Sequence, residues 1–118
     1  MLEYKALLTT EFNSWILKKK DMNIDVSIVI VCMNNLKNLY PCLESIKKYT
    51  TVSYETLLVA YLFSKENLEK VKKDFPWVTF IESNEIRGFS ENNNLALRQA
   101  KGKYCFVLND DTEMKMDV

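Results

Sequence analysis

The stretch Val26-Ser27-Ile28-Val29-Ile30-Val31-Cys32 decides the fold. It is a near-continuous β-branched run. A strand with one solvated face alternates apolar and polar residues; a run of this kind marks a strand buried on both faces, as in a parallel sheet covered by helices. The elements around it agree. Met33-Asn34-Asn35 is a loop. Leu39, Leu43 and Ile46, at i, i+4 and i+7, predict a helix with one apolar face. Pro41 is expected in its first turn and Lys47-Lys48 near its end. Thr56 to Ala60 reads as a second buried strand. Ser64 is placed to cap a helix carrying Leu68, Val71 and Phe75, which Pro76 helps to terminate. Val78 to Ile81 is a third strand. Ser90 to Lys101 predicts a helix with Leu95 and Ala100 inward and Gly102 as its C-terminal stop. Tyr104 to Leu108 is the fourth strand. Strands alternating with helices imply βαβ units, hence an α/β fold with a mainly parallel sheet and helices on both faces.

Two segments stand apart from that alternation. Residues 1–24 read as an N-terminal helical extension, because Leu8, Phe12, Trp15 and Ile16 fall at helical spacing and Lys18-Lys19-Lys20 suits a helix C-terminus. Residues 25–118 form the domain proper. At its far end, the fourth strand runs into Asn109-Asp110-Asp111-Thr112-Glu113. Adjacent carboxylates at the end of a buried strand repel and call for a cation or hydrogen-bond donors. Oxygen ligands of this kind suit Mg²⁺ or Mn²⁺, which take one or two carboxylates plus substrate phosphates. On their own, Asp110 and Asp111 read first as turn residues.

Composition narrows the classes. With 118 residues the chain is one domain by size. Sixteen basic and sixteen acidic residues balance, which argues against a general nucleic-acid binder. The absence of histidine removes Ser-His and Cys-His catalysis and His-ligated zinc. Cys32, Cys42 and Cys105 show no C-x-x-C spacing and read as buried thiols in a reducing compartment. No stretch approaches the ~20 apolar residues of a membrane span, and Met1 to Lys5 lacks the order of a signal peptide. A cytoplasmic location is expected. Only Gly88 and Gly102 are present, so neither a dinucleotide fingerprint nor a P-loop occurs.

From Val26 to about Thr112 the sequence resembles the family 2 glycosyltransferases of GT-A fold, which use nucleotide-diphosphate sugars. Val26 to Asn35 looks like the family's first strand and following loop. Arg87-Gly88-Phe89-Ser90-Glu91-Asn92-Asn93-Asn94-Leu95-Ala96-Leu97, then Ala100-Lys101-Gly102-Lys103-Tyr104, looks like the block ahead of its Asp-x-Asp position. It leads at the right distance into Leu108-Asn109-Asp110-Asp111-Thr112. The resemblance implies a Rossmann-like three-layer α/β/α fold. It implies that Asp111, helped by Asp110, holds the Mg²⁺ or Mn²⁺ that bridges the diphosphate, with Asn109 facing ribose and metal. It implies that Asn34 and the backbone around Met33 border the base, and that Arg87, Gly88, Asn93 and Asn94 line the nucleotide pocket.

The sequence departs from the family in three places. Tyr61 stands where the second strand normally ends in an Asp that bonds the base; it could stack on a base but supplies no carboxylate acceptor. Asn109 replaces the first acid of Asp-x-Asp. Family members continue into an acceptor-binding half that supplies the general base, so this chain is expected to be the donor-binding half, incomplete as a stand-alone catalyst. A second reading, motivated by Tyr61-Leu62-Phe63, is a degenerate domain acting as an interaction module. Without the acceptor half, the edge beside the fourth strand would be bare, which predicts a two-fold homodimer unless the N-terminal helix covers it. A nucleotidyltransferase is a third reading, but no Gly-rich basic loop follows the first strand.

Overall fold

The computed structural model describes residues 5–9, 14–18 and 24–114. Its elements are β1 (Lys5–Thr9), β2 (Ser14–Lys18), β3 (Ile24–Cys32), α1 (Leu36–Tyr49), β4 (Tyr54–Tyr61), α2 (Lys65–Asp74), β5 (Thr79–Ser83), α3 (Phe89–Leu97) and β6 (Gly102–Asn109). They build a six-stranded sheet in the order β1-β2-β6-β3-β4-β5. The four strands from β6 to β5 are mutually parallel; β1 and β2 are antiparallel additions at one edge.

The β-branched run sits where its pattern demands. Val29, Ile30 and Cys32 are fully buried at the centre of the sheet. Alternate residues of β3 feed two cores. On one face, Ile28, Ile30 and Cys32 join Leu39, Cys42, Leu43 and Ile46 of α1 and Val71 of α2. On the other, Val29 joins Leu57, Val59 and Ile81 beneath Ala96 and Leu97 of α3. Helices on both faces of a parallel sheet make the three-layer, Rossmann-like arrangement.

Local signals explain the helix boundaries. Asn35 Oδ1 accepts from the Asn38 N–H at 3.2 Å and caps α1, while Ser64 Oγ accepts from the Asn67 N–H at 3.2 Å and caps α2. Lys47-Lys48 and Lys72-Lys73 close the two helices at their negative ends. Pro41 lies one turn deeper than expected, because α1 already begins at Leu36. Its ring nitrogen has no proton for the carbonyl four residues back, a cost the packed inner face of α1 offsets.

Two expectations are corrected. Residues 5–9 and 14–18 are strands, not parts of a helix; Phe12, Lys19 and Lys20 lie outside the described residues. Ser-Trp-Ile-Leu-Lys is a short apolar run rich in strand formers, and periodicity alone cannot separate helix from strand at that length. β2 pairs with β6 through Ile16↔Phe106, Leu17↔Cys105 and Lys18↔Tyr104. The edge beside β6 is therefore occupied by this chain's own residues, which removes the bare edge as a ground for dimerisation.

The second correction concerns Gly102. α3 ends at Leu97, and Gly102 is the first residue of β6 rather than a helix stop. Its backbone is not left-handed. What requires glycine is close approach: a Cβ there would lie 2.4 Å from Ser27 N and 2.7 Å from Val26 C. The Gly102 N–H donates to Ser27 Oγ at 2.7 Å, Ser27 Oγ donates to Glu55 Oε2 at 2.6 Å, and the Lys101 N–H donates to the same oxygen. This polar lock ties β6, β3 and β4 together at the N-terminal end of the sheet.

Candidate functional site

The opposite end of the sheet carries the candidate site. From β3 the chain moves through α1 to β4 on one side, then α2 to β5; α3 returns it to β6 on the other side of β3. The crossovers diverge between β3 and β6, and ligands of open α/β sheets bind in the crevice outside the strand ends at such a point. Two loops meet there. One is Met33-Asn34-Asn35 after β3; the other begins at Asn109, which pairs with Val31 in the last register position of β6 on β3.

The acidic pair occupies a tight turn. The Thr112 N–H donates to the Asn109 carbonyl at 3.0 Å, leaving Asp110 and Asp111 as the two central residues. Turn geometry and metal ligation are thus compatible: the turn presents both carboxylates past the end of the strand. Asp110 is half-buried, while Asn109 and Asp111 are exposed. Among the described residues, neither carboxylate forms a salt bridge with a basic side chain. No group of three or more Cys, Asp or Glu side chains among them could enclose a metal. Two adjacent carboxylates without a basic partner among the described residues fit a cation whose remaining ligands are water and phosphate oxygens, not an all-protein cage.

Asp110 also touches the core. Burial pushes the Cys32 thiol up to about 12, and the neighbouring Asp110 carboxylate adds to the rise. Cys42 is likewise pushed to about 12, by burial first and then by the charges of Asp110 and Asp111. Both thiols remain protonated at neutral pH. Cys32 Sγ lies 3.5 Å from the Asn35 carbonyl, so this one side chain contacts both loops of the crevice.

Asn34 adopts a left-handed backbone, φ 52°, a conformation Asn tolerates. Its Oδ1 accepts from the Ser64 N–H and from Asn67 Nδ2, each at 3.0 Å. The side chain thus fastens the β3–α1 loop to the start of α2. Met33 beside it is 60% exposed at the rim of the crevice.

Tyr61, the last residue of β4, reaches across to the segment before α3. Its hydroxyl accepts from the Arg87 N–H and donates to the Arg87 carbonyl, both at 3.0 Å. Arg87 Nη1 donates to Ser83 Oγ at 2.9 Å, and Ser83 Oγ donates to Asn92 Oδ1 at 2.7 Å. On its other side Nη2 lies 3.5 Å from Glu85 Oε2. Ser83 and Asn92 are buried; Arg87 is partly exposed. Gly88 is the N-cap of α3 and its N–H meets Glu91 Oε1 at 3.5 Å, an acidic group placed well for the helix dipole. Asn93 is buried one turn into α3, with Nδ2 donating to the Phe89 carbonyl at 3.0 Å and Oδ1 unpartnered among the described residues. Asn94 is half-exposed on the same helix.

The structure therefore gathers the expected residues at the C-terminal ends of four adjacent strands. At the usual inter-strand spacing that row spans about 14 Å. Two contacts join neighbouring parts of this row: Tyr61 with Arg87, and Cys32 with Asp110. Ser83, Asn92 and Asn67 were not anticipated. The available signal was the run Asn92-Asn93-Asn94, since three poor helix formers inside a helix need tertiary partners. A cavity of about 430 Å³ lies elsewhere, between α1 and the segment after β6, lined by Glu44, Ser45, Lys48, Tyr49, Glu113 and Met114.

The comparisons with known proteins agree with this architecture. S. aureus TarS, residues 1–349, superposes with a TM-score of 0.63 at 21% identity, over 76% of this chain and 28% of TarS. The mannosyltransferase PcManGT from Pyrobaculum calidifontis, solved in complex with GDP-Man and Mn²⁺, gives 0.65 at 20% identity, over 80% of this chain and 32% of its own. The chain thus spans about a third or less of these glycosyltransferases, and the likeness shows the GT-A type of fold. No curated protein matches. The model for "Glycosyl transferase family 2" matches residues 27–118, which is most of the sequence, and the chain belongs to that family.

Proposed function

We propose that the domain binds a nucleotide-diphosphate sugar across the C-terminal ends of β6, β3 and β4 and serves glycosyl transfer to an acceptor hydroxyl. The observation that carries this reading is the Asn109–Thr112 turn. It presents two carboxylates that meet no basic side chain among the described residues, at the point where the crossovers diverge, in a chain of this family. Asp111 and Asp110 would hold Mg²⁺ or Mn²⁺, which when bound neutralises charge on the leaving diphosphate. The PcManGT complex with GDP-Man and Mn²⁺ supports this choice of ligand and cation. Arg87, with the Gly88 end of α3, offers positive potential toward phosphate oxygens, and Asn109 offers an uncharged amide to ribose or cation. Met33 borders the base; Asn93 and Asn94 line the α3 side. Asn34 contributes by shaping its loop, since its side-chain oxygen already serves Ser64 and Asn67.

The proposal is confined to donor binding; no residue is assigned as general base. The buried cysteines Cys32 and Cys42 support a reducing, cytoplasmic setting, and no helix among the described residues is long and apolar enough to cross a membrane. Titration calorimetry with UDP, GDP and TDP, each with and without Mn²⁺, tests the reading. One or more of them is expected to bind with metal, and Asp111→Ala is expected to abolish the metal-dependent part. Binding that is indifferent to Mn²⁺ or to Asp111→Ala would refute the metal assignment. No binding at all by folded protein would favour the non-catalytic interaction module.

A further inference from the structure

We propose that Tyr61 is a positioning residue, whose hydroxyl sets the Arg87 guanidinium toward the phosphates of a nucleoside diphosphate. This rests on the donor-binding reading above. The segment between β5 and α3 belongs to neither a helix nor a strand, so the Arg87 main chain has no ladder to bond with. One hydroxyl replaces that ladder by meeting both its N–H and its carbonyl. Tyr61 is itself well held. Leu62, next in sequence, takes a left-handed φ of 52° and donates its N–H to the Ser83 carbonyl at 2.8 Å, locking the ends of β4 and β5 together.

The Arg87 side chain is fixed from beneath. Ser83 Oγ accepts from Nη1 and donates its only proton to Oδ1 of the buried Asn92, which orients the hydroxyl toward both. A guanidinium carries five N–H donors in a rigid fork. One contact to Ser83 and a looser approach to Glu85 leave capacity for a phosphate, which the fork can meet at two points. The alternative role for Tyr61 is stacking of its ring on the base. The two roles differ in which part of the side chain matters: the hydroxyl for positioning, the ring for stacking.

Tyr61→Phe separates them, because it keeps the ring and removes the clamp. The measurement is nucleoside-diphosphate affinity with Mn²⁺, using UDP, GDP and TDP, at several salt concentrations. Circular dichroism confirms that the variant is folded. Positioning predicts that affinity falls about tenfold. It also predicts that the salt dependence of binding becomes shallower, although no charge has been removed, because a cation no longer faces the phosphates. Unchanged affinity would overturn the proposal in favour of stacking. Weaker affinity with unchanged salt dependence would overturn it in favour of a merely structural tyrosine. If wild-type protein binds no nucleotide, the underlying reading fails and this inference with it.

Discussion

Replacing Gly102 by alanine tests the polar lock most directly. The new Cβ would sit 2.4 Å from Ser27 N, 2.6 Å from Ser27 Oγ and 2.7 Å from Val26 C. Two of those atoms are main chain and cannot rotate away, so β6 and β3 must part. Overpacking of this kind costs about 1–3 kcal/mol. Parting the strands also loosens the Gly102-to-Ser27 and Ser27-to-Glu55 hydrogen bonds, and strained or lost bonds at a buried position add about 1–3 kcal/mol. The sum, about 2–6 kcal/mol, is a large share of the about 5–15 kcal/mol typical of a domain. Urea unfolding followed by circular dichroism should show a midpoint lower by more than about 1 M. Gly88→Ala is the control. Its Cβ would meet only Glu91 Oε1, at 3.7 Å, so it should cost no more than the roughly 0.5–1 kcal/mol by which alanine is poorer than glycine at an N-cap. A Gly102→Ala protein within about 1 kcal/mol of wild type would refute the close-approach argument, and so would equal losses at the two glycines.

Other outcomes follow from the same geometry. Ellman's reagent at pH 8 should leave Cys32 and Cys42 unlabelled in native protein and label them on unfolding; rapid native labelling would contradict their burial and raised pKa. Because both folded pKa values lie above the ordinary 9.0, the unfolded chain loses protons first. Stability from this source is full below pH 9 and declines as pH rises from 9 towards 12, visible as a falling urea midpoint. Ser83→Ala strands Asn92 Oδ1 without its donor and should cost about 1–3 kcal/mol by the same assay. Asn34→Ala should destabilise more than Asn34→Gly by about 1 kcal/mol, since only alanine resists the left-handed backbone; equal costs would show that the two lost hydrogen bonds are the whole effect.

The parallel sheet was legible because its signal is local and redundant. Each central strand is a short apolar run, and α1 and α2 each carry a side-chain cap and a basic end beside an apolar stripe. The N-terminal segment was misread because Leu8, Trp15 and Ile16 fit either period, and the deciding factor is non-local: β6 has an edge to be paired. Gly102 was misread for a related reason. Its neighbours in sequence suggest a helix stop, while the constraint comes from Ser27, seventy-five residues away. At the site, Asp110 and Asp111 stood out by charge and Arg87 by motif. The function of the Tyr61 hydroxyl did not, because a tyrosine at a strand end says nothing about which main chain will lie within its reach.

β6 links the two ends of the domain. Its first residue, Gly102, sits in the lock with Ser27; its last, Asn109, pairs with Val31 and opens the acidic turn. A strand has a side-chain period of two, so a slip of one residue would turn Cys105 out of one core and Phe106 and Leu108 out of the other. It would also move Asp110 away from Cys32 and the crevice. The lock opposes that slip, because only glycine fits against the Ser27 main chain and only one register brings its N–H to the Ser27 hydroxyl. A contact at the N-terminal end of the sheet thereby fixes the place of the carboxylates at the other end. Damage to the lock should therefore weaken metal-dependent nucleotide binding as well as stability, even though no lock residue approaches the crevice.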